Sequence, residues 1–236
     1  MEAYSIAGIN KLPYNEKREI FVHLIPDEIF TRFSLPENLI DENGNNLLQI
    51  KGEPGKGSLE LCLFHQHGFQ DPLLYSHLID TLNGQIHVLL YIMNDPDSPR
   101  FDVDVMPDGT RTMFATQQRN LEAELAAMEA GLLPGQIRSG LSILKDAVTS
   151  FEDFINYLGH NLYFNQPLYY HNAIIFERYG FSYQSGKRRM EEIHRRFTED
   201  EGLIARLGST VFRRPEAQKS IFFRSWAIHD GILGEP

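Results

Sequence analysis

One cysteine and one tryptophan stand among 236 residues. A lone thiol, Cys62, closes no internal disulfide and completes no multi-thiolate zinc site. Its place in the strand-like run LELCLF suits a small buried hydrophobe, so neither an oxidising compartment nor thiol catalysis is expected. Positive charge is scarce as well. Twenty-two Lys and Arg against 32 Asp and Glu leave a formal net charge of −10, and such a surface repels phosphate backbones, which argues against nucleic acid as a partner. No apolar run approaches the ~20 residues of a membrane helix, and the start MEAYSIAGINK lacks an apolar signal-peptide core. A soluble, cytoplasmic protein away from the membrane is therefore expected. HExxH, GxSxG and GxxxxGK are all missing, so zincin, hydrolase-elbow and P-loop chemistry lack their defining residues. No period of 20 to 50 residues recurs, which excludes a repeat architecture.

What is present is a chain 42% hydrophobic and 23% charged, enough for one generous core or a core with an appended lobe. The N-terminal part, residues 1–84, reads as strand-rich: EIFVHLI (Glu19 to Ile25), Leu47 to Lys51 and Ser58 to Phe64 carry β-formers, the last two around the turn GEPGKG. Gln85 to Met93 (QIHVLLYIM) is the continuous apolar run of a buried strand. Phe101 to Val105 alternates as FDVDV, placing Asp102 and Asp104 on one face of a strand, either solvated or functional. From Thr116 the period becomes helical to Leu132, and a second helix is predicted from Pro134 to Leu158. Asn161 to Leu168 reads as a short strand, Tyr170 to Tyr179 as a helix closed by Gly180, and Lys187 to Phe197 as another helix. These elements predict an α/β (α+β) protein with a mixed, mostly antiparallel sheet covered by helices. The expected organisation is residues 1–84 as part of one domain, a core over 85–207 with an inserted helix at 134–159, and a tail over 208–236. That tail carries Trp226 and is expected to dock on the body or on a second copy in a homodimer.

Two constellations carry chemistry. His65 and His67 in FHQHG would face the same side of a strand, which suits two-imidazole metal ligation, with His77, His160 or His171 completing the set; the alternative is that they are ordinary hydrogen-bonded strand residues. The aromatic cluster of Tyr163, Phe164, Tyr169, Tyr170 and Phe176 reads as core payload, with a substrate cage as the other reading. The basic run from Lys187 to Arg224 reads as a solvated face, with a local anion site as the other reading.

The segment NLYFNQPLYYHNAIIFERYGF (161–181) orders a strand, a connection, a helix and a Gly-Phe ending, Ile175 to Phe181. This layout resembles the end of the GCN5-related acetyltransferase fold. Upstream, Phe101 to Val105, MPDGTR and the Thr116 to Leu132 helix resemble that family's fourth strand, its approach to the cofactor and its coenzyme A pyrophosphate helix. The resemblance covers about residues 85–181. It implies an acyl-CoA N-acyltransferase-like fold that moves an acyl group from acetyl-CoA or another acyl-CoA to a small amine or similar nucleophile. By resemblance, Asp102 and Asp104 are the candidate bases, and Tyr170 and Tyr179 the phenols that protonate the departing thiolate. Arg111, Thr112, Thr116, Gln117 and Asn161 are the candidate cofactor contacts. The family's phosphate loop is glycine-rich, whereas RTMFATQQ has no glycine, and Phe176 stands where the family often has a tyrosine. Those departures frame an alternative, a non-catalytic relative that binds a small molecule or partner. A metal-dependent enzyme using His65 and His67 is the third reading.

Overall fold

A computed structural model describes residues 4–234. In chain order its helices are α1 (Ile6–Ile9), α2 (Tyr14–Val22), α3 (Asp27–Phe33), α4 (Leu121–Glu129), α5 (Leu144–Tyr157), α6 (Tyr170–Arg178), α7 (Lys187–Glu199), α8 (Glu201–Ala205) and α9 (Ile221–His229), with a 3-10 turn at Pro215–Gln218. The strands are β1 (Leu48–Lys51), β2 (Ser58–Leu63), β3 (Leu74–Asp80), β4 (Ile86–Met93) and β5 (Tyr163–Asn165). The chain forms two compact units: residues up to Ser98 with Gly140–Gln166, and Pro99–Ser139 with Pro167 onward.

The first unit holds the whole sheet, ordered β1-β2-β3-β4-β5. Its first four strands are antiparallel and β5 runs parallel to β4, so the α+β class with a mixed sheet is observed. Leu74, Ser76 and Leu78 alternate inward along β3, as the pleat requires. That face and the inner faces of α1–α3 and α5 enclose one large core that includes Phe21, Leu61, Ile86, Phe151 and Phe154. Asn83-Gly84, with Gly84 at φ 77°, closes the β3–β4 hairpin. The Asp80 carboxylate at the end of β3 accepts the N–H groups of Ile6 (2.7 Å) and Ala7 (2.8 Å), tying the start of α1 to the sheet.

The second unit contains α4, α6–α9 and no strand among the described residues. Its apolar contacts fall into three small clusters, centred on Ile193 and Phe197, on Val103 and Leu132, and on Phe212 and Trp226. Trp226 is fully buried and its indole N–H donates to the Leu132 carbonyl at 3.0 Å. Residues 208–234 of the expected tail are thus structural members of this unit, and the tail's last two residues lie outside the described ones.

Three expected elements differ. Glu19 to Ile25 belongs largely to α2, because EKRE supplies strong helix formers and Ile20, Phe21 and Leu24 bury one helical face. Phe101 to Val105 forms a turn rather than a strand, joined only by an isolated bridge between Val105 and Arg111. The helix expected from Pro134 begins instead at Leu144, since Gly135 (φ 82°) and Ser142 (φ 61°) take left-handed conformations that no helix accommodates.

Candidate functional site

Leu78 pairs with Val88 and His77 pairs with Leu90, so Leu89 has no partner on β3 and forms a β-bulge. Backbone bonds fix the direction of each residue around it. Thr81 N–H donates to Gln85 C=O (2.8 Å) below the bulge and Asn94 N–H to Leu73 C=O (2.9 Å) above it. By alternation, Leu90 and Ile92 direct their main-chain groups to β3, while Tyr91 and Met93 direct theirs to the opposite side. That side is the one on which β5 pairs, yet β5 pairs only with Ile86, His87 and Val88. The Gln166 N–H to Val88 C=O bond, at 3.3 Å, is the last backbone bond of this pairing. Beyond it, no backbone bond among the described residues reaches Tyr91 or Met93 from that side. The result is a parallel pair that is zipped for three residues, beyond which the main chain of Tyr91 and Met93 has no partner from β5.

The segment leading into α5 lies beside this edge of β4. Gly140 passes beside the end of β4: a Cβ there would stand 3.7 Å from the Met93 carbonyl oxygen. The Arg32 guanidinium donates to the Leu141 carbonyl (3.1 Å) and pairs with Asp95 (2.8 Å), fixing this segment. The N-cap residue of α5 is Ile143, whose side chain offers no acceptor, so the first N–H groups of a 14-residue helix are left without a side-chain cap. Lys145 and Asp146 both lie in its first turn. On the core side, the Tyr91 ring meets Phe151 edge-on at 6.2 Å, and its hydroxyl is buried without a hydrogen-bond partner. Burial raises the pKa of that phenol. Tyr163 on β5 packs on the same Phe151 at 4.9 Å, and burial, followed by the nearby Glu152 carboxylate, pushes its pKa up to about 12. Chemically, the free donors and acceptors of β4 can pair with an extended amide-bearing chain. An uncapped helix start can receive a phosphate.

The residues expected to form the site are placed elsewhere. Asp102 and Asp104 are held by one arginine: Arg100 pairs with Asp102 and reaches both Asp104 oxygens at 2.8 and 2.9 Å. Both carboxylates thus neutralise a cation within a turn, which opposes service as bases. Tyr170 accepts from the buried Arg224 at 3.2 Å, and Tyr179 is exposed at the end of α6. Thr112 is buried and spends its hydroxyl on the Val103 carbonyl (3.0 Å); Thr116 spends its own on Met113 C=O (2.6 Å). Arg111 and Gln117 are exposed, and between them Met113, Phe114 and Ala115 all take left-handed φ, which turns the chain away from a helix start. The helix that follows, α4 from Leu121, is capped by Asn120, whose side chain accepts from Ala123 N–H and occupies that terminus. Asn161 is exposed in the other unit.

The histidines are also dispersed. β2 ends at Leu63, so His65 and His67 lie in the following turn and do not share a strand face. His65 packs against the rings of Phe33 and Phe69, and His77 Nε2 lies 3.0 Å from Ser58 Oγ. Among the described residues no group of three His, Cys, Asp or Glu is arranged to hold a metal ion. None of the helices they form is long and apolar enough to cross a membrane.

Comparison with protein-family models, with curated proteins and with solved structures finds no match to this chain. The geometry of β4, β5 and the start of α5 stands on its own. Sequence reading missed it for a definable reason. In IHVLLYIM the residues that meet the core are Ile86 and Val88, then the half-buried Tyr91 and Met93, a change of parity at Leu89-Leu90 that marks the bulge. The uniform hydrophobicity of the run conceals that change.

Proposed function

We propose that the chain is an acyltransferase-like protein with an acyl-CoA N-acyltransferase-like arrangement in its first unit, working in the cytoplasm on a small amine or similar nucleophile. The acyl-CoA donor is assigned to the edge of β4 left unpaired beyond β5, not to Phe101–Val105 and Thr116–Leu132. The observation that carries this reading is the short zip of β5 on β4 followed by the unpaired main chain of Tyr91 and Met93. In that role, Tyr91 and Met93 pair with the amides of the donor's pantetheine arm. The uncapped start of α5, with Lys145 and Asp146 in its first turn, receives its pyrophosphate. The Tyr91 hydroxyl, buried and unpartnered, is left without a bond in the free protein, as a group awaiting a ligand acceptor would be.

The test is thermal melting with acetyl-CoA. A ligand at 100 times its dissociation constant adds about 2.7 kcal/mol, so a clear rise in Tm is expected, and no rise at millimolar acetyl-CoA overturns the reading. Tyr91→Phe sharpens it through two effects of opposite sign. Removing an unsatisfied buried hydroxyl should stabilise the free protein by about 1 kcal/mol while reducing the Tm rise that acetyl-CoA produces. A Tm rise with acetyl-CoA but no acyl transfer to any of a panel of small amines selects the non-catalytic alternative.

A further inference from the structure

In the second unit Tyr169 stands between two imidazoles. His171 stacks on it at 5.5 Å and 12°, and His229 lies at 5.8 Å and 59°. The two are partnered very differently. His229 Nε2 is 3.0 Å from Glu124 Oε1, and the other Glu124 oxygen accepts from Arg119 at 2.9 and 2.5 Å. Arg119 also pairs with Asp230 at 2.8 Å, which in turn accepts from Arg213 (2.9 Å) and Thr210 (2.8 Å). His171 is 4% exposed, and its Nδ1 is buried with no partner. One histidine therefore ends a chain of charges, while the other is sealed behind a ring with nowhere to place a second proton.

We infer that the His171–Tyr169–His229 stack is an acid-released latch, holding the first turn of α6 against the C-terminal end of α9 at neutral pH and letting it go on acidification. The groups facing His171 are the Tyr169 phenol from its own segment and His229 from α9. Behind them stand Glu124 of α4, Arg119 and Asp230. None offers His171 Nδ1 an acceptor: the carboxylate of Glu124 is already shared by His229 and Arg119. A proton arriving on His171 would sit in a buried place beside an imidazole that shares the charge of Glu124. Burial, with His229 as the second cause, pushes His171 down to about 4 in the closed form, whereas a released imidazole titrates near its ordinary value of ~6.5. The released form therefore gains protons first. Its population grows about 20-fold between pH 7 and pH 5 through this one group. The device is independent of the acyl-transfer reading, since every residue in it belongs to the second unit.

Native-state hydrogen exchange on the full chain tests it, with rates corrected for the intrinsic pH dependence. Amides of α6 should lose about 20-fold in protection from pH 7 to pH 5, with the sheet of the first unit unchanged. His171→Phe, which keeps a stacked ring and cannot titrate, should remove the pH dependence. His171→Gln serves the same purpose should the larger ring disturb packing. In the wild-type protein the imidazole signals of His171 followed by NMR should show it still largely unprotonated at pH 5 in the closed form. An unchanged pH dependence in the non-titrating variants, protonation of His171 near its ordinary value, or loss of protection spread evenly over both units would each overturn the latch.

Discussion

The two units solve the problem of internal cohesion in opposite ways. The first buries a single large apolar cluster between helices and sheet, within which the hydroxyls of Ser76 and Tyr91 have no partner. The second divides its apolar side chains into three small groups and places charge among them, with Glu124, Arg213 and Arg224 all buried. A large cluster gains from area alone, at roughly 25 cal/mol per Å². Small clusters gain less and depend more on how well their buried polar groups are paired. The lesson is that identity matters at different atoms in each: methylenes in the first unit, donors and acceptors in the second.

The comparison breaks most sharply at Phe154 and Glu124. Phe154 is fully buried and touches Phe21 at 5.7 Å and Phe151 at 5.9 Å; Phe154→Ala should cost ~3–5 kcal/mol through lost transfer and cavity. Glu124→Gln removes no volume, yet it takes the charge from between His229 and Arg119, and a broken buried pair costs ~3–5 kcal/mol. Ser76→Ala, by contrast, deletes a polar atom that bonds to nothing, and should be neutral or slightly stabilising. Denaturant midpoints measure all three. If Glu124→Gln proves as mild as Ser76→Ala, the second unit does not rest on its charges.

Acid should separate the units next. His171 is held neutral in the folded chain, its pKa pushed down to about 4, so the unfolded chain binds more protons below ~6.5. Stability is then lost as pH falls from about 6.5 towards 4, at up to ~1.4 kcal/mol per pH unit, and the loss stops once the folded form also protonates. Glu124 adds a second window. Burial alone would raise its pKa, but the bonds from His229 and Arg119 outweigh burial and lower it. Its contribution is present at neutral pH and disappears as pH drops through the carboxylate range. Thermal unfolding from pH 7 to pH 4 should accordingly show a slope that His171→Phe reduces. A slope unaltered by that substitution would assign acid sensitivity to other groups.

Much of the sheet was legible in the sequence, and the reason is periodic. β1, β2, β4 and β5 lie within the runs expected from β-formers and flanking turns, and α6 and α7 match their helical stripes to within a residue or two. β3 was concealed because LYSHLID mixes polar residues into both faces, and Ser76 points into the core. α2 reads as a strand because Ile20, Phe21 and Val22 are adjacent β-formers, whereas the helix formers of EKRE and the burial of Ile20 and Phe21 set it as a helix. The site was less legible. Unpaired main chain leaves no trace in side-chain identity, and the bulge at Leu89 shows only as a parity change. The Glu124–His229 pair spans 105 residues, a separation no local pattern reports. Asp102 and Asp104 misled because alternation describes a strand and a turn equally well until Arg100 is seen to gather both.

The mildest expected effect bears directly on that last pair. In Asp104→Asn the bidentate contact with Arg100 is weakened, but Asp102 remains, the Asp104 side chain is 37% exposed, and water can replace the lost acceptor. Exposed and half-exposed ion pairs contribute 0.2–1 kcal/mol, so stability should fall by less than ~1 kcal/mol. Its main-chain bond, Asp104 C=O accepting from Thr112 N–H at 3.0 Å, does not depend on the side chain and should keep the turn intact. Donor binding measured by the acetyl-CoA melting shift should not change, because the donor is assigned to β4 and α5 in the other unit. A general base would behave otherwise: its amide analogue loses ~10²-fold or more in turnover with the fold preserved. A loss of that size in Asp104→Asn would restore the carboxylate as a base and move the chemistry into the second unit. Unchanged turnover would leave Arg100, Asp102 and Asp104 as the clasp of a turn, a local device of the unit that relies on paired charge.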